Sequence, residues 1–258
     1  MEKLEIKIRA AGTPGENAAY IRSALSRNLP EFQPSPCRHD GTMVLAGSGP
    51  SLPDFLSEIK EHRANGRPIC AIKGAHDYLC ENGVEPDLWV DLDPRDRTNG
   101  VQRKNDYTTY LVASRCPPVM FDHLAGKKIL VWNSWSMDEE SQAIGGRLAV
   151  GGGTTSGLRA INLGYLMGFR KFILIGYDSC IKEDGTKRFT GEKAGKTVDI
   201  YVGDGIDRKR FVSNMAMAQQ ANEFQLIYTV MPDVTIEARG DGLIAEILKV
   251  RREWKLAA

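Results

Sequence analysis

Short apolar segments alternate with segments of helical character between Thr42 and Ile175, and this alternation constrains the fold more than any other feature. Each apolar segment is strand-sized and nearly continuous, which is typical of strands covered on both faces of a sheet. The predicted strands are Met43–Ala46, Ile69–Ile72, Leu88–Leu92, Thr109–Ala113, Lys128–Trp132 and Lys171–Ile175. Strands that alternate with helices form β-α-β units with right-handed crossovers, so they are expected to pair in parallel.

Helical segments occupy the connections between these strands. The clearest is Thr154–Met167, where apolar residues recur at helical spacing and Gly168 follows as a C-cap. Another spans Pro53–Ala64, with Ser51 as a candidate N-cap. Further helices are predicted at Glu16–Leu29, Ala75–Glu81, Pro117–Leu124, Asp207–Ile227 and Leu243–Trp254, and a late strand at Val234–Ile236. The sequence therefore predicts an α/β fold with a Rossmann-like, doubly wound, mostly parallel sheet and helices on both faces.

Two segments depart from this pattern. Residues 1–40 carry a cluster of prolines at Pro34 and Pro36 and are predicted to be an N-terminal extension, while 41–258 form one domain. Residues 180–208 are rich in Gly, Lys, Asp and Thr, lack apolar periodicity and exceed the length of an ordinary connection. We expect this polar segment to be a functional loop, a small hairpin or a mobile lid.

The overall charge is close to neutral, with 34 Lys and Arg residues, 33 Asp and Glu residues and a net charge of +1. Dedicated nucleic-acid-binding proteins usually carry a strong basic excess, so no nucleic-acid partner is expected. No apolar run approaches the roughly 18 residues of a membrane span, and the N-terminus lacks the apolar core of a signal peptide. The five cysteines are scattered, so we expect reduced thiols, no zinc site and a cytoplasmic location.

The first candidate binding motif is Gly47-Ser48-Gly49-Pro50-Ser51, which directly follows a predicted strand and precedes a helix. Ligands of doubly wound sheets bind beyond the carboxyl ends of the strands. Glycines let the backbone approach a phosphate, and a helix N-terminus supplies free N–H groups and a positive dipole end. Gly47, Ser48, Gly49 and Ser51 are therefore candidate phosphate-binding residues. A tight strand-to-helix turn with a serine cap explains the same residues, and the motif matches neither a Walker A loop nor GxGxxG.

The second motif is acidic and ends the strand Leu88–Leu92. Asp91 and Asp93 alternate along an extended chain, so their carboxylates are expected to point to one face. Two carboxylates at a strand end suit a complex of Mg²⁺ with phosphates, which makes both residues candidate metal ligands and candidate catalytic residues. The alternatives are a pair of solvated acids, or Asp93 capping the turn at Pro94.

The third motif, Gly151–Gly157, opens the clearest helix with three glycines, two threonines and a serine. Backbone freedom, hydroxyl groups and a helix N-terminus together make a second candidate cradle for an anion. Gly152, Gly153, Thr154 and Thr155 are the candidate binding residues. A flexible loop with a threonine N-cap is the alternative interpretation.

Weaker candidates surround these motifs. Asp178 follows the strand Lys171–Ile175, and a carboxylate there can contact a ribose, a metal or a substrate amine, so we treat it as a candidate catalytic residue. Trp132 and Trp135 are candidates for an aromatic wall against a base or a pterin ring. Basic side chains of the polar segment that can reach phosphates are Lys182, Lys187, Arg188, Lys193 and Lys196.

The order of these motifs resembles the 6-hydroxymethylpterin diphosphokinase MptE-like family, which is similar in fold to bacterial sialyltransferases. The matching pieces are the strand and turn at 43–51, the acidic strand end Trp89–Pro94, and the run from Gly151 through Asn162–Phe169 to Ile173–Asp178. The resemblance covers roughly residues 42–180. It implies a Rossmann-like domain that binds a nucleoside phosphate. The N-terminal extension and the polar segment depart from the family pattern.

The resemblance also implies an activity, the magnesium-dependent transfer of diphosphate from ATP to 6-hydroxymethyl-7,8-dihydropterin. By position, Gly47, Ser48, Gly49 and Ser51 would hold phosphates, and Asp91 would act with Asp93 on the metal or substrate. The second turn, with Asp178, would complete the site. The predicted function is thus a nucleotide-dependent transferase that uses ATP, Mg²⁺ and a small hydroxymethyl acceptor resembling a pterin.

Two other functions remain open. One is a glycosyltransferase of the sialyltransferase type that uses a nucleotide sugar, although the chain has no histidine after His123 to act as the expected acid or base. The other is a non-catalytic nucleotide-binding protein, such as a phage accessory protein. A dehydrogenase is disfavoured because the glycine-rich turn lacks its third glycine, and Ile69–Ala71 is followed by Lys73 and Gly74 where an acidic residue is expected.

Overall fold

The structure is a computed structural model that describes residues 11–135, 139–203, 205 and 208–257, with side chains described up to residue 251. Residues 1–10 of the predicted extension lie outside the described residues, as do 204, 206 and 207 of the predicted polar segment. Asp207, the predicted start of a helix, is one of them.

Eight parallel strands form one sheet, which confirms the predicted α/β class and the Rossmann-like parallel arrangement. The strands are β1 (Thr42–Ala46), β2 (Ile69–Ile72), β3 (Leu88–Asp91), β4 (Thr109–Ala113), β5 (Lys128–Ser134), β6 (Ala149–Val150), β7 (Lys171–Ile175) and β10 (Thr235–Ala238). Their spatial order is β10-β7-β1-β2-β3-β4-β5-β6. All four residues of β2 are buried, as are four of the five residues in each of β1 and β7, which explains why their sequences are continuously apolar.

Helices flank this sheet in the order that the sequence predicts. They are α1 (Pro14–Leu25), α2 (Leu56–Ala64), α3 (Ala75–Glu81), α4 (Pro118–His123), α5 (Glu139–Ile144), α6 (Ser156–Leu166), α7 (Met215–Val230) and α8 (Leu243–Ala257). Helix α6 lies over the centre of the sheet, where it contacts β1, β2 and β3. Its side chains Leu158, Ile161 and Leu163 are fully buried, so its N-terminal turn is fixed firmly at the edge of the sheet.

The polar segment contains secondary structure of its own. Strands β8 (Val198–Val202) and β9 (Lys209–Ser213) pair antiparallel, so the hairpin alternative is the one observed over this part. The predicted helix Asp207–Ile227 is therefore wrong at its start, because residues 209–213 form β9 and α7 begins at Met215. Asn214 caps α7 by accepting a hydrogen bond from the Met217 N–H at 2.9 Å. Alternation of exposed and buried residues in β9 is a strand pattern that its charged residues obscure.

Two local predictions also need correction. Ser51 does not cap the following helix with its side chain, because a 3₁₀ turn, Leu52–Phe55, comes first and α2 begins only at Leu56. The short elements α5 and β6 were not predicted, since a two-residue strand and a six-residue helix are too short to carry a periodicity signal.

Candidate functional site

The strand order reverses beside β1, and this switch point locates the candidate site. From β1 the chain runs outward through β2 to β6, then returns to β7 on the other side of β1. In open parallel sheets, the connections leave in opposite directions at such a point and open a crevice beyond the carboxyl ends of the strands. A cleft of about 1170 Å³ lies there, lined by both glycine-rich turns and by residues that follow β2, β3, β4 and β7.

The first glycine-rich turn packs tightly against the end of β7. The Gly49 N–H donates to the Gly176 carbonyl at 2.9 Å, and the Ser51 N–H donates to Asp178 Oδ2 at 3.1 Å. A Cβ on Gly49 would lie against the Asp178 carboxylate and 2.6 Å from the Gly176 oxygen, so only glycine fits. The Gly47 N–H also donates to the Ile175 carbonyl at 2.7 Å, so three of the N–H groups predicted to hold phosphate are bonded within the protein. The turn brings backbone and the Ser48 side chain to the wall of the cleft.

Asp178 lies at the floor of this turn. Only 5% of the residue is exposed. Burial raises the pKa of its carboxyl above the usual range, and hydrogen bonds from Ser51 offset only part of that effect. The prediction that Asp178 belongs with the Gly47–Ser51 turn agrees with this geometry. A carboxylate with a raised pKa is a stronger base than an ordinary one, so Asp178 at the cleft wall is suited to accept a proton.

Asp91 is buried beneath the cleft. Its Oδ1 accepts hydrogen bonds from the Leu92 N–H at 2.7 Å, the Asp93 N–H at 2.9 Å and the Ser156 hydroxyl at 3.2 Å. Burial raises the pKa of this carboxyl, and the charge of Lys73, with Nζ at 3.7 Å from Oδ1, opposes the rise. Asp91 therefore ties β3 to the first turn of α6.

Asp93 lines the cleft and holds three cations. Its carboxylate accepts hydrogen bonds from Lys73 Nζ at 2.8 Å, from Arg95 Nε and Nη2 at 2.8 Å each, and from Arg97 Nε at 3.3 Å. Burial alone would raise the pKa of Asp93, but the Arg95 hydrogen bonds and the Lys73 charge hold it well below its usual range. Asp93 is therefore a fixed anion that orients Lys73 and Arg95 at the cleft wall.

The two aspartates do not fit a resident Mg²⁺ ion in this arrangement. Magnesium needs open oxygen ligands in octahedral geometry, whereas cationic side chains already occupy both Asp93 oxygens. Asp91 keeps one oxygen, Oδ2, without a hydrogen-bond partner, but that atom is buried. Within the described residues, no group of three or more His, Cys, Asp or Glu side chains is arranged to hold a metal. A metal role for the pair therefore stays a prediction.

The second glycine-rich turn already holds a carboxylate of the protein. Gly152 and Gly153 have φ angles of +95° and +85°, which favour glycine, and they turn the chain into α6. The Thr154 N–H and hydroxyl both donate to Glu223 Oε2 at 2.9 Å, so the predicted anion cradle binds an internal anion from α7. Thr155 acts as the N-cap of α6 by accepting from the Leu158 N–H at 3.3 Å, as the alternative interpretation expects.

Residues of the polar segment reach the same cleft. The Phe189 N–H donates to the Ser48 carbonyl at 3.3 Å, and the Phe189 ring lies 4.8 Å from the ring of Tyr78. These contacts bring Lys187 and Arg188 to the cleft wall, where both pair with Glu192. Of the five basic residues predicted to reach phosphates, these two line the cleft.

The sequence analysis did not identify four residues that line the cleft, which are Lys73, Arg115, Arg159 and Glu223. Lys73 and Arg115 each lie just beyond the end of a predicted strand, so a search of strand ends for cations would have found them. Arg159 and Glu223 sit on helices, and their approach depends on tertiary packing. Trp135 lines the cleft with 56% of the residue exposed, whereas Trp132 is buried in the core.

The lining carries a net positive charge. Within the part of the chain that the structure describes, six cationic side chains and three acidic ones border the cleft. The cations are Lys73, Arg95, Arg115, Arg159, Lys187 and Arg188, and the acids are Asp93, Asp178 and Glu223. The side chains that face the cleft are thus mostly cationic, and the acids that pair with Lys187, Arg188 and Arg115, which are Glu192 and Glu140, are not among the lining residues. Such a cleft attracts anionic ligands.

None of the helices in the described residues is long and apolar enough to cross a membrane.

Comparison with solved structures gives a match of fold. The structure of the MAf glycosyltransferase from Magnetospirillum magneticum AMB-1 matches with a TM-score of 0.69 and 17% sequence identity. The match covers 91% of this chain but 38% of that protein, so this chain spans well under half of its length. At this identity the likeness concerns the fold. A search of curated proteins found no match.

Comparison with family profiles identifies the family. The profile of the 6-hydroxymethylpterin diphosphokinase MptE-like family matches residues 16–184. The matched region is about two thirds of the chain and contains both glycine-rich turns, the acidic end of β3 and Asp178. The resemblance in the order of the motifs is thereby confirmed, and the chain belongs to the 6-hydroxymethylpterin diphosphokinase MptE-like family.

Proposed function

We propose that this protein is a transferase that binds a nucleoside phosphate in the cleft at the switch point of its sheet. The observation that carries the proposal is the excess of cationic side chains around a cleft of about 1170 Å³ at the carboxyl ends of parallel strands. Phosphoryl and glycosyl donors carry a monophosphate or diphosphate group. Negative charge on that group must be neutralised as its bond to the transferred group breaks. Membership of the MptE-like family and the glycosyltransferase fold of a structural neighbour support a transferase that uses nucleotides.

In its more specific form, the proposal is that diphosphate passes from ATP to a small hydroxymethyl acceptor resembling a pterin. The acceptor oxygen would bond to the β-phosphorus of ATP, the bond from that phosphorus to the α-phosphate oxygen would break, and AMP would leave. Lys73 and Arg95, held by Asp93, would neutralise the phosphates, with Lys187 contributing from the polar segment. Asp178 would accept the proton of the acceptor hydroxyl.

Magnesium enters this proposal as part of the substrate, bound to the ATP phosphates. Mg²⁺ commonly keeps several waters and binds through phosphates with one or two carboxylates. To ligate it, Asp93 would have to release a cation and Asp91 would have to expose its buried Oδ2. The metal role is tested by titrating the protein with ATP in Mg²⁺ and in EDTA. If Asp91 and Asp93 ligate the metal, Asp91→Asn weakens ATP binding in Mg²⁺ far more than in EDTA. Equal binding in both conditions, for wild type and variant, would contradict that role.

A nucleotide-sugar glycosyltransferase is the second candidate function. The observation in its favour is that lysine and arginine side chains lie at the phosphate position. Among the described residues, no cluster of metal-binding side chains accompanies them. Fixed cations can stabilise a departing nucleotide directly. Asp178 would then serve as the base toward the acceptor hydroxyl. A nucleotide-binding protein without catalysis is the outcome if binding occurs without turnover.

The experiment is calorimetric titration of the full chain with ATP, CMP and UDP, followed by product analysis by ³¹P NMR. Lys73→Met should weaken binding of the preferred nucleotide at least tenfold, about 1.4 kcal/mol, because it removes a cation from the phosphate position. Lys60→Met, on the exposed side of α2, is the matched control and should bind as wild type does. Equal affinity of Lys73→Met and wild type, with both folded by circular dichroism, would contradict the proposed phosphate position.

A further inference from the structure

A corner of the cleft beyond β4 and β5 holds two arginines that the proposed donor chemistry leaves unused. Arg115 follows β4, Arg159 lies in the first turn of α6, and Trp135 follows β5, and all three line the cleft. Arg159 is 7% exposed and donates to two carbonyl oxygens, those of Val150 and Trp135. Arg115 and Trp135 follow β4 and β5, whereas the Gly47–Ser51 turn and Asp178 follow β1 and β7.

The charge of Arg159 is not balanced by a contacting carboxylate. Among the described residues, no Asp or Glu oxygen lies within 4 Å of its guanidinium, although that group is almost wholly buried. Its place in the first turn of α6 is at the positive end of the helix dipole, which disfavours a cation. Burial first, and then the charge of Arg115, lower the pKa of Arg159 to about 10, and the charge of Glu223, which does not contact it, opposes this fall. A buried cation in such surroundings destabilises the fold unless an anion joins it.

Arg115 is only weakly paired. Its side chain is 12% exposed, and its nearest carboxylate oxygen, Glu140 Oε2, lies 3.7 Å away. The other oxygen of Glu140 accepts a hydrogen bond from Asn17 Nδ2 at 2.7 Å, so that carboxylate is shared. The second contact of Arg115 is a long one, 3.4 Å from Nη2 to the Ala11 carbonyl.

Several hydrogen-bonding groups without a partner lie behind this corner. The Nε atoms of Arg115 and Arg159 are buried and have no hydrogen-bond partner in the described structure, and the same is true of the hydroxyls of Ser114 and Ser134. Buried polar groups in folded proteins are normally paired, and unpaired ones commonly mark a site for a ligand or ordered water. Two guanidinium groups with spare donors match the oxygens of a carboxylate or a phosphate.

We propose that Arg115 and Arg159 form a second anion-binding subsite, which takes the acidic group of the acceptor substrate. The proposal rests on the proposed function, because it assigns this corner to the acceptor and the Lys73 side to the nucleotide. Trp135, with its exposed ring, would cover the body of the acceptor. An uncharged hydroxymethylpterin would leave Arg159 without a contacting anion and Arg115 with only its long contact to Glu140, so the acceptor class inferred here is a small molecule bearing a carboxylate or a phosphate.

Side-chain NMR tests this subsite directly. The ¹⁵Nε–¹Hε signals of Arg115 and Arg159 in the full chain are followed during titration with sodium acetate and with sodium phosphate, at ionic strength held constant with sodium chloride. The expected result is a saturable shift of both signals with at least one of the two anions and none with chloride. A stronger response to acetate assigns a carboxylate, and a stronger response to phosphate assigns a phosphorylated acceptor. If neither acetate nor phosphate gives a saturable shift of the two arginine signals, the subsite is overturned.

Variants make the test specific. Arg159→Gln should weaken the anion response of the Arg115 signal at least tenfold, and Arg115→Gln should do the same for the Arg159 signal. Because the two residues lie on different elements, one variant remains informative if the other fails to fold. Arg103→Gln, an exposed arginine paired with Glu81 outside the cleft, is the control and should titrate as wild type does. Undiminished responses in the two folded cleft variants would overturn the subsite.

A parallel calorimetric titration with ATP separates the two proposals. If wild type binds ATP but its arginine signals do not respond to either anion, the subsite is wrong and the proposed function stands. If the arginine signals respond but no nucleotide binds, the proposed function is wrong and an anion site remains. The subsite further predicts that Arg159→Gln weakens ATP binding less than Lys73→Met does.

Discussion

Asp91 and Asp93 stand two residues apart at the end of β3, in opposite electrostatic surroundings. Asp93 is the shared anion of Lys73, Arg95 and Arg97, so its charge is needed. Asp91 is buried among backbone N–H groups and a serine hydroxyl, where burial disfavours its charge. Removing one partner of a buried ion pair is strongly destabilising, whereas a neutral isostere of a carboxyl whose charge is disfavoured costs little.

The same substitution at the two positions should therefore have different effects. We expect Asp93→Asn to lower the free energy of unfolding by about 3 kcal/mol at pH 7, because it leaves three cations without their anion. Asp91→Asn should change it by about 1 kcal/mol or less, since an amide oxygen can accept the same hydrogen bonds. Urea unfolding of both variants and wild type measures the difference. If the two variants lose the same amount of unfolding free energy, the charge of Asp93 does not organise these cations.

Asp178 should make stability depend on pH in a defined direction. Burial raises its pKa in the folded protein above that of the unfolded chain, so the folded state retains this proton to higher pH. The contribution of Asp178 to stability therefore falls as pH rises from about 4, near the unfolded pKa, through the raised folded pKa, and is constant above it. Asp178→Asn removes that contribution while its amide oxygen can still accept from the Ser51 N–H.

The comparison is a melting curve of wild type and Asp178→Asn at pH 4, 5.5 and 7. The melting temperature of the variant relative to wild type should rise with pH over this range. A difference that stays constant, or that falls with pH, would contradict a raised pKa at Asp178. If Asp178 is also the base, the folded variant should lose turnover while keeping nucleotide binding.

At the scale of single residues, the sequence predicted which backbone turns border the cleft but not what their atoms contact. Gly49, predicted to approach a phosphate, lines the cleft, and its N–H donates to the carbonyl of Gly176. Thr154, predicted to bind a phosphate, donates to Glu223, some seventy residues later in the chain. Partners that distant in sequence depend on the tertiary fold, which local patterns do not encode.

Among the elements, the first glycine-rich turn packs closely against the residues that follow β7. We expect Gly49→Ala to destabilise the protein by about 1–3 kcal/mol, because its Cβ meets backbone and a buried carboxylate that cannot move away. Gly74→Ala, at the turn after β2, is the matched control. A Cβ there has no neighbouring atom within 4 Å, so a change of about 0.5 kcal/mol or less is expected. Similar melting temperatures for both variants would contradict the close packing.

The polar segment should respond to ligand as a unit. The described part of 182–205 contacts the first turn mainly through Phe189. Three of its cations pair with acids of the same segment, Lys187 and Arg188 with Glu192 and Lys193 with Asp184 at 3.0 Å. Exposed pairs of this kind contribute little stability, so rapid amide exchange is expected without ligand. Bound phosphate would attract Lys187 and Arg188 and slow the exchange.

Hydrogen exchange with and without saturating ATP and Mg²⁺ measures this response, with peptides from α4 as the control. We expect protection across 182–205 and none in α4. Unchanged exchange in the polar segment at saturating nucleotide would make it a plain surface element of the protein.

Strands were predicted correctly where they are buried on both faces of the sheet, and wrongly where they are partly exposed. The six predicted strands from Met43 to Ile175 are all present, because strands covered on both faces are continuously apolar. Strand β9 was predicted as part of a helix, since it opens with two exposed charged residues, Lys209 and Arg210, and has only two buried positions. Strand β6, with two residues, is identified only by its pairing with β5.

For the whole molecule, strand order and not composition determines where chemistry can occur. The sequence predicted a parallel sheet, but the position of β1 between β2 and β7 follows only from the tertiary structure. That position brings the Gly47–Ser51 turn, Lys73, Asp93 and Asp178 to one cleft. A nearly neutral chain thereby gains a positively charged cleft, which the overall charge of +1 does not reveal.

The central claim is that a nucleoside phosphate binds at this switch point. The most direct measurement is a crystal structure of the full chain with a non-hydrolysable ATP analogue and, in a parallel crystal, with CMP. The account predicts phosphate density between the Gly47–Ser51 turn and the side chains of Lys73 and Arg95, with Lys187 or Arg188 in contact. Nucleotide bound outside this cleft, or no bound nucleotide at concentrations that saturate binding in solution, would contradict it.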